Sequence, residues 1–269
     1  MTGPLVTILV PNYKTLELTK LCLRLLRKYT EPGLAKVIVI DNDSADASLD
    51  YLRRLNWIEL IERKTTGEIP VMAHSRALDM ALERVTTPYV LSIHTDSLVK
   101  HPEWLRFLIS RIERNANVAG VGSWKLEAKA WWRQSFKWVE RRAQLIYYRL
   151  IGSDKHPLEG VGKNYYYLRS HCALYRVDLL KSLNLRFSDG DMVAGKAMHK
   201  ALVDAGYRME FLPSDVLIKY LDHVNHATTV LNPHLSSRQK SVDKGLRRIK
   251  KSLASVNATA VLRDGELDS

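Results

Sequence analysis

The 269-residue chain lacks the composition of a disordered, fibrous or disulfide-stabilised protein. It has 13 Gly and 9 Pro, too few for a collagen-like or low-complexity chain, and 46% of its residues are hydrophobic. Its two cysteines, Cys22 and Cys172, lie in apolar segments, which indicates a reducing compartment and not a disulfide framework. No apolar run approaches the roughly 18 residues of a membrane span, and the first apolar segment begins at Leu5 without a basic leader. We therefore expect a globular cytoplasmic protein.

The sequence also lacks the common nucleotide and hydrolase motifs. No G-x-G-x-x-G opens a predicted helix, and the glycines within residues 160–163 lack the spacing and the preceding strand of a P-loop. A nicotinamide-dependent enzyme and an ATPase are therefore disfavoured. The patterns H-E-x-x-H and G-x-S-x-G are missing too, which excludes a zinc peptidase and an α/β-hydrolase.

Positive charge is in excess, and it is unevenly distributed. The formal net charge is +12, from 41 Lys and Arg against 29 Asp and Glu. Residues 1–128 hold 17 basic and 15 acidic side chains, whereas residues 129–269 hold 24 and 14. A basic surface favours anionic partners such as nucleic acid, an acidic membrane face or a phosphorylated substrate. The basic surface therefore belongs to the second half of the chain.

Short apolar runs alternate with helix-spaced apolar stripes along much of the chain. This alternation predicts an α/β fold with a mostly parallel, doubly wound central sheet flanked by helices. Thr15 is the expected N-cap of the first helix, and Asp43 and Asp46 are expected to cap a helix that begins near Ala47. The predicted strands are residues 5–10, 37–40, 57–61, 89–93, 118–121 and 173–175, and the main predicted helices are 18–26, 71–85, 102–114 and 192–205.

Polar side chains follow three of the predicted strands. Ligands of a doubly wound sheet bind beyond the carboxyl ends of its strands, so these side chains are expected to meet at one edge. Asp41 could accept hydrogen bonds from a ribose hydroxyl or a base N–H there, or it could form a turn. Asp96 could hold a divalent cation against a diphosphate, or it could cap a turn. The three clusters are Pro11, Asn12 and Tyr13; Asp41, Asn42 and Asp43; and His94, Thr95 and Asp96.

The second half contains two basic segments. Apolar residues from Trp132 to Leu150 recur every three or four positions, which predicts an amphipathic helix near residues 130–151 with basic residues on its other faces. Such a helix packs against a core, or it lies on an anionic membrane surface. Residues 238–251 contain seven basic residues and one acid, and we expect a basic C-terminal helix and tail over residues 236–269.

Three motifs resemble those of the family 2 glycosyltransferases of the GT-A fold. They are Val6–Tyr13 (VTILVPNY), Val37–Asp46 (VIVIDNDSAD) and Tyr89–Val99 (YVLSIHTDSLV), the last followed by Pro102–Leu105 (PEWL). Weaker similarities at Cys172–Arg176 and Ala205–Arg208 extend the resemblance over residues 5–213. The resemblance implies a GT-A fold with residues 1–125 as the nucleotide-sugar-binding half and residues 126–235 as the acceptor and catalytic half.

The resemblance also implies a donor site. Asp41 would contact the nucleotide base within a pocket at the end of the first two strands. His74 and Arg76 stand where the family often has an Arg-Asn pair, so each contacts the nucleotide or is an ordinary exposed helix residue. The expected donor-binding residues are Pro11, Asn12, Tyr13, Asp41, His74, Arg76, Thr95 and Asp96.

A divalent cation, Mn²⁺ or Mg²⁺, is implied at the place of the family's D-x-D motif. The first Asp of that motif is His94 here, so Asp96 is the expected ligand and His94 a competent second one. This departure makes metal independence an alternative. His223 and His226 are candidates for a late metal-binding histidine, with His226 favoured; otherwise they are polar loop residues or bind the diphosphate directly.

A general base is expected at the start of the helix that precedes Ala205–Arg208. The family's usual Glu-Asp pair is absent, and Asp189 and Asp191 stand in its place. Asp191 is favoured because it lies nearer the predicted helix start, where it could accept the proton of an attacking hydroxyl. The alternative is that Asp191 is a simple N-cap.

Together these features predict an inverting glycosyltransferase. It would move a sugar from a nucleoside diphosphate sugar, with UDP favoured, to a hydroxyl of a cell-surface glycan, a lipid-linked acceptor or another saccharide. A catalytically weak sugar-nucleotide-binding protein is the alternative, because the first Asp of the D-x-D motif and the Glu-Asp pair are both missing. A nucleic-acid-binding module is less favoured, since no nucleic-acid fold signature accompanies the basic half, and we expect no nucleic acid partner. Peripheral contact with an anionic membrane face is a further expectation.

Overall fold

The computed structural model describes residues 3–65, 67–126, 160, 164–191, 193–224 and 250–269. The strands of this part of the chain are β1 (Val6–Asn12), β2 (Ala35–Asn42), β3 (Glu59–Arg63), β4 (Tyr89–Ile93), β5 (Ser97–Val99), β6 (Val118–Gly122), β7 (Cys172–Arg176), β8 (Arg208–Phe211) and β9 (Leu221–His223). Its helices include α1 (Leu16–Tyr29), α2 (Ala47–Leu52), α3 (Pro70–Leu82), α4 (Trp104–Glu113), α5 (Val177–Ser182), α6 (Lys196–Asp204), α7 (Ser214–Leu217) and α8 (Ala258–Arg263).

Seven strands form one sheet in the order β3-β2-β1-β4-β7-β6-β8. Strand β1 pairs in parallel with β2 and β4, β2 with β3, and β6 with β8, whereas β7 runs antiparallel to β4 and β6. Every residue of β1 is buried, as its unbroken apolar run predicts for a strand covered on both faces. The mostly parallel sheet flanked by helices confirms the predicted fold class.

Helix α1 is buried on two sides. Leu23 and Leu26 belong to the core cluster that includes residues of β1 and β2, while Leu21 and Leu25 pack with Val261 of α8. The helix therefore lies between the sheet and the C-terminal segment, which explains why its apolar stripe is broad.

A two-stranded antiparallel sheet connects distant parts of the chain. Three residues separate the end of β4 from the start of β5, and β5 pairs with β9 so that Ser97 lies opposite His223. The backbone N–H of Val224 also donates to the carbonyl of Asp96 at 2.8 Å. This pairing holds residues 96 and 223 side by side at the end of β4.

Two predicted elements have different bounds in the structure. The helix predicted over residues 192–205 begins at Lys196, because Gly195 has a left-handed φ of +73° and helical geometry cannot extend through it. Residues Asp189–Asp191 instead form a separate 3₁₀ turn. Strand β3 lies two residues later than predicted, since its parallel pairing with β2 sets Ile38 opposite Glu59.

The predicted caps have mixed outcomes. The Asp46 carboxylate accepts a hydrogen bond from the Ser48 N–H at 2.9 Å, which confirms it as the N-cap of α2. The capping prediction for Asp43 was wrong, because its carboxylate pairs with Lys64 at 3.0 Å. Thr15 occupies the N-cap position of α1 but makes no capping hydrogen bond.

Both predicted basic segments fall largely outside the described residues. The amphipathic helix near residues 130–151 lies there, as do residues 236–249 of the predicted tail. Residues 250–255 are helical and are followed by α8. Within the described ranges, no helix combines the length and apolar character that crossing a bilayer requires.

Candidate active site

Three predicted metal ligands come together at the carboxyl end of β4. The pairing of β5 with β9 places His223 Nε2 at 3.1 Å from Asp96 Oδ1, and His94 Nδ1 lies 3.8 Å from the same oxygen. One potential ligand atom from each of the three residues lies within 4.8 Å of the others. His226, the late histidine favoured by the sequence, lies outside the described residues, and His223 is the late histidine of this cluster.

The donor set fits a divalent first-row metal ion. Two imidazole nitrogens and a carboxylate oxygen are ligands that Mn²⁺ and its neighbours accept, and three protein ligands leave positions open for substrate oxygens. The set also differs from two carboxylates in carrying a single negative charge. The substitution of the family's first Asp by His94 is therefore compatible with a metal centre at this position.

Two further histidines pack against the cluster. Ser170 Oγ lies at 3.2 Å from His74 Nε2 and at 2.9 Å from His94 Nε2, so it links the two rings. The His171 ring stacks on that of His223 with their centroids 4.4 Å apart. Because such partners fix ring orientation, they would aim the ligand nitrogens of His94 and His223 toward Asp96.

Three of these imidazoles, those of His74, His94 and His171, are held neutral because their pKa values are lowered. Desolvation lowers the pKa of His74 to about 4, and desolvation together with the neighbouring His74 lowers that of His94 to about 3. The pKa of His171 is lowered well below its ordinary value, mainly by burial and then by His223. At neutral pH their rings therefore offer lone pairs and add no positive charge, which is the state that metal ligation needs.

A cavity of about 610 Å³ opens beside the cluster. Its size lies within the range of small-molecule sites, roughly 300–1,000 Å³. Six of the eight predicted donor-binding residues line it: Pro11, Asn12, Tyr13, His74, Thr95 and Asp96. Five of these six residues lie at or just after the carboxyl ends of β1 and β4, and His74 lies on α3.

Asp41 does not line the cavity, contrary to the predicted contact with a base. Its buried carboxylate accepts hydrogen bonds from Asn12 Nδ2 at 2.7 Å and from the Ser44 N–H at 3.0 Å, so it joins the ends of β1 and β2. Successive residues of a strand point to opposite sides, and the cavity is lined by the next residue, Asn42. Asp41 borders a separate groove of about 410 Å³.

Arg76 also lies outside the cavity lining. Its guanidinium is half exposed and pairs with Glu68 at 3.0 Å. Glu68 does line the cavity, and the buried Arg63 donates to both of its carboxylate oxygens at 2.5 Å. The pKa of Glu68 is held below its ordinary value, first by the hydrogen bond from Arg63. Glu68 is therefore an ionised wall residue whose negative charge is balanced by arginine.

The two candidate bases differ in their surroundings. Asp189 Oδ2 accepts a hydrogen bond from the Arg186 N–H at 2.8 Å, so it stabilises its own turn. Asp191 ends that turn, and Val193, two residues later, lines the cavity. Asp79 of α3 fixes this loop, since it accepts hydrogen bonds from the N–H groups of Phe187 at 2.6 Å and Ser188 at 3.2 Å.

Several cavity residues were not among the predicted donor-binding residues. They are Asn42, Thr65, Glu68, Tyr167, Arg169, Ser170 and His171. The strand-end rule placed Asn42 at this edge of the sheet, but no donor contact was assigned to it. Ser170 and His171 directly precede β7, which runs antiparallel to β4, so their position at the carboxyl end of β4 required the strand direction as well as the strand pattern.

Comparison with known proteins places this site in a family context. Residues 7–183 match the family model described as "Glycosyl transferase family 2". No curated protein matches the chain.

Solved structures with a similar fold include the mannosyltransferase PcManGT from Pyrobaculum calidifontis in complex with GDP-Man and Mn²⁺, at 18% identity and a TM-score of 0.54, over 98% of this chain and 80% of that one. S. aureus TarS 1-349 is similar at 15% identity and a TM-score of 0.54, over 94% of this chain and 73% of the TarS chain. Glucosyl-3-phosphoglycerate synthase from Mycobacterium tuberculosis, in complex with phosphoglyceric acid, is similar at 17% identity and a TM-score of 0.50, over 95% and 81%. The chain belongs to glycosyl transferase family 2 and is a glycosyltransferase with the GT-A fold.

Proposed function

We propose that the protein is an inverting glycosyltransferase that uses a nucleoside diphosphate sugar and glycosylates a hydroxyl of a surface-glycan, lipid-linked or other saccharide acceptor. The observation that carries this proposal is the cluster of His94, Asp96 and His223 on the wall of a 610 Å³ cavity at the strand ends. The cavity suits a molecule with a nucleoside at one end and a diphosphate at the metal cluster.

UDP is the favoured nucleotide of the donor and GDP the alternative. A TarS structure contains UDP, at 16% identity and a TM-score of 0.52, whereas the PcManGT structure contains GDP-Man. In this chain Tyr13 offers an aromatic face, and Asn42 and Thr65 offer polar groups, on the cavity wall. An amide and a hydroxyl can each donate and accept, so they suit the keto and N–H groups of either base.

The cofactor in this proposal is a divalent cation, Mn²⁺ or Mg²⁺, held by His94, Asp96 and His223. When bound, it supplies positive charge to the diphosphate oxygens as the bond to the sugar breaks. Ser170 and His171 orient the ligand rings, and Asp96 is the one anionic ligand. Metal independence is the alternative, and the experiment below separates the two.

Asp191 is the proposed general base. An acceptor hydroxyl oxygen attacks the anomeric carbon from the face opposite the diphosphate, the bond from that carbon to the phosphate oxygen breaks, and the hydroxyl proton passes to the carboxylate. Asp189 is the second choice, because its carboxylate already accepts a hydrogen bond from the Arg186 N–H within the turn. Attack from the opposite face inverts the anomeric configuration.

The proposed site of action is the cytoplasm, with the basic second half against an anionic membrane face. The basis of this proposal is charge: residues 129–269 hold 24 basic and 14 acidic side chains. Vesicles that contain anionic lipid should bind the protein at low salt and release it as salt rises, whereas neutral vesicles should not bind it.

A donor screen tests the function directly. UDP-, GDP- and dTDP-sugars are incubated with the protein, with and without Mn²⁺, and release of nucleoside diphosphate is measured together with thermal stabilisation by each nucleotide. Asp96→Ala should abolish Mn²⁺-dependent stabilisation and turnover, because it removes the anionic ligand. Asp204→Ala is the matched control, since Asp204 is exposed and paired with Lys200 away from the cavity.

The outcomes distinguish the candidates. Nucleotide binding without turnover would favour the catalytically weak sugar-nucleotide-binding protein. Turnover that is equal with a chelator and with Mn²⁺ would establish metal independence. If no nucleotide stabilises the protein and no donor is consumed, the proposal is wrong.

A further inference from the structure

Arg169 is the one Lys or Arg among the described residues that line the cavity. The two lining acids have assigned contacts: Glu68 pairs with Arg63 and Arg76, and Asp96 lies in the metal cluster. Arg169 is therefore the basic group on this wall that remains to be explained. It lies in the turn that also presents Ser170 and His171.

The guanidinium of Arg169 is held in place before any ligand binds. Its backbone N–H donates to the Ser123 carbonyl at 3.0 Å, and its own carbonyl accepts from the Cys172 N–H at 3.2 Å. Its guanidinium carbon lies 4.3 Å from the centre of the Trp124 ring, which fixes the plane of the group. An arginine that is stacked in this way loses little side-chain entropy when it binds an anion.

One polar atom of this side chain lacks a protein acceptor. Arg169 Nε is buried and has no hydrogen-bond partner. Burial raises the pKa of the nearby Tyr167 phenol, and the positive charge of Arg169 opposes this shift without overcoming it. An incompletely satisfied guanidinium on a cavity wall is costly unless an anion in the cavity offsets it.

The diphosphate group of a sugar nucleotide is such an anion. The diphosphate of a sugar nucleotide carries two negative charges, and breaking its bond to the sugar leaves a third on the terminal phosphate. A divalent cation on a cluster that already contains the Asp96 carboxylate leaves this charge incompletely neutralised. We propose that Arg169 binds the terminal phosphate of the nucleoside diphosphate. In this assignment Asn42 and Thr65 contact the base, and Arg169 contacts the leaving phosphate. This inference rests on the proposed function.

Calorimetric titration of three probes tests the assignment. UDP, UMP and uridine, or the guanosine set if GDP is the nucleotide that binds, are titrated with Mn²⁺ into the wild type, Arg169→Gln and Arg169→Lys. Arg169→Gln should weaken UDP binding at least about tenfold, UMP binding less, and uridine binding not at all, because a charge-assisted contact to the terminal phosphate is lost. Arg169→Lys should recover part of the affinity, since it restores the charge without the planar fork.

A matched control and three contrary results complete the test. Arg106→Gln removes one positive charge from an exposed arginine paired with Glu31, and it should leave all three affinities unchanged. Equal losses for UDP and uridine would overturn the assignment in favour of a structural role, as would UDP affinity in Arg169→Gln that matches the wild type. Wild-type protein that binds none of UDP, GDP and dTDP would overturn the proposed function together with this inference.

Discussion

Replacement of Arg24 by Met should detach the C-terminal segment from α1. The Arg24 side chain is 8% exposed and donates to Asp268 Oδ1 at 2.8 Å and Oδ2 at 2.5 Å. It also donates to the carbonyls of Val261 at 3.1 Å and Leu262 at 2.7 Å. Met has a similar length and no donor, so the substitution removes all four hydrogen bonds while it keeps much of the apolar packing.

The expected loss can be estimated from the burial of the two partners. Removing one member of a buried ion pair costs about 3–5 kcal/mol. The Asp268 side chain is 29% exposed and keeps a 2.7 Å hydrogen bond from the Tyr51 hydroxyl, so water and Tyr51 recover part of that cost. We expect Arg24→Met to lower the free energy of unfolding by about 2–3 kcal/mol. For a chain of this size that corresponds to a fall in melting temperature of roughly 4–12 °C.

Urea unfolding at pH 7, followed by circular dichroism, measures this loss. Arg27→Met is the matched control, because Arg27 lies on the same helix and makes one exposed hydrogen bond, to the Ser269 carbonyl at 2.9 Å. The control should change the unfolding free energy by less than about 1 kcal/mol. If Arg24→Met loses no more than the control, the contacts between α1 and the C-terminal segment do not contribute as the burial indicates.

Three further predictions concern pH, the metal cluster and the sheet. The Arg24 hydrogen bond lowers the pKa of Asp268 below its unfolded value of 3.8, so the contribution of this carboxylate to stability is present above pH 3.8 and is lost as the pH falls through the folded pKa. The urea midpoints of wild type and Asp268→Asn should therefore differ at pH 7 and converge as the pH falls below 3.8. Ser252→Ala removes a 2.8 Å hydrogen bond to Asp222, the neighbour of the proposed metal ligand His223. It should weaken Mn²⁺ binding about threefold to tenfold in calorimetry, while the metal-free melting temperature hardly changes. Gly122→Ala would place a Cβ 2.5 Å from the Cys172 carbonyl oxygen and should cost about 1–3 kcal/mol in urea unfolding; an unchanged midpoint would contradict the tight β6–β7 pairing.

The order of strands and helices was predictable because each buried strand is a short apolar run. Strand β4 has the predicted bounds, Tyr89–Ile93, since its five residues are apolar or small and all are buried. Strand β1 extends further than predicted, because its pairing with β2 continues through Pro11 and Asn12, where apolar character has already ended. Backbone hydrogen bonding, which the apolar pattern does not report, sets these ends.

The site was predictable where it depends on strand ends and not where it depends on side-chain direction. Asp96 and His94 follow β4 directly, so topology alone brings them to the cavity. Asp41 was misjudged, because a strand-end position does not say which side of the sheet the carboxylate faces, and that carboxylate holds Asn12. His171 and Arg169 reach the same edge from a strand of opposite direction, which a search for parallel strand ends cannot detect.

The large positive charge of the chain is therefore a poor guide to how its catalytic cavity handles an anion. Three of the imidazoles beside the cavity are neutral because desolvation lowers their pKa, and the arginines that contact Glu68 neutralise that acid. Arg169 is the one Lys or Arg among the described residues that line the cavity, and a metal ion on His94, Asp96 and His223 would add further positive charge. In the proposed site a leaving diphosphate would need both, because the metal cluster lies at the end of β4 and Arg169 lies in the turn before β7.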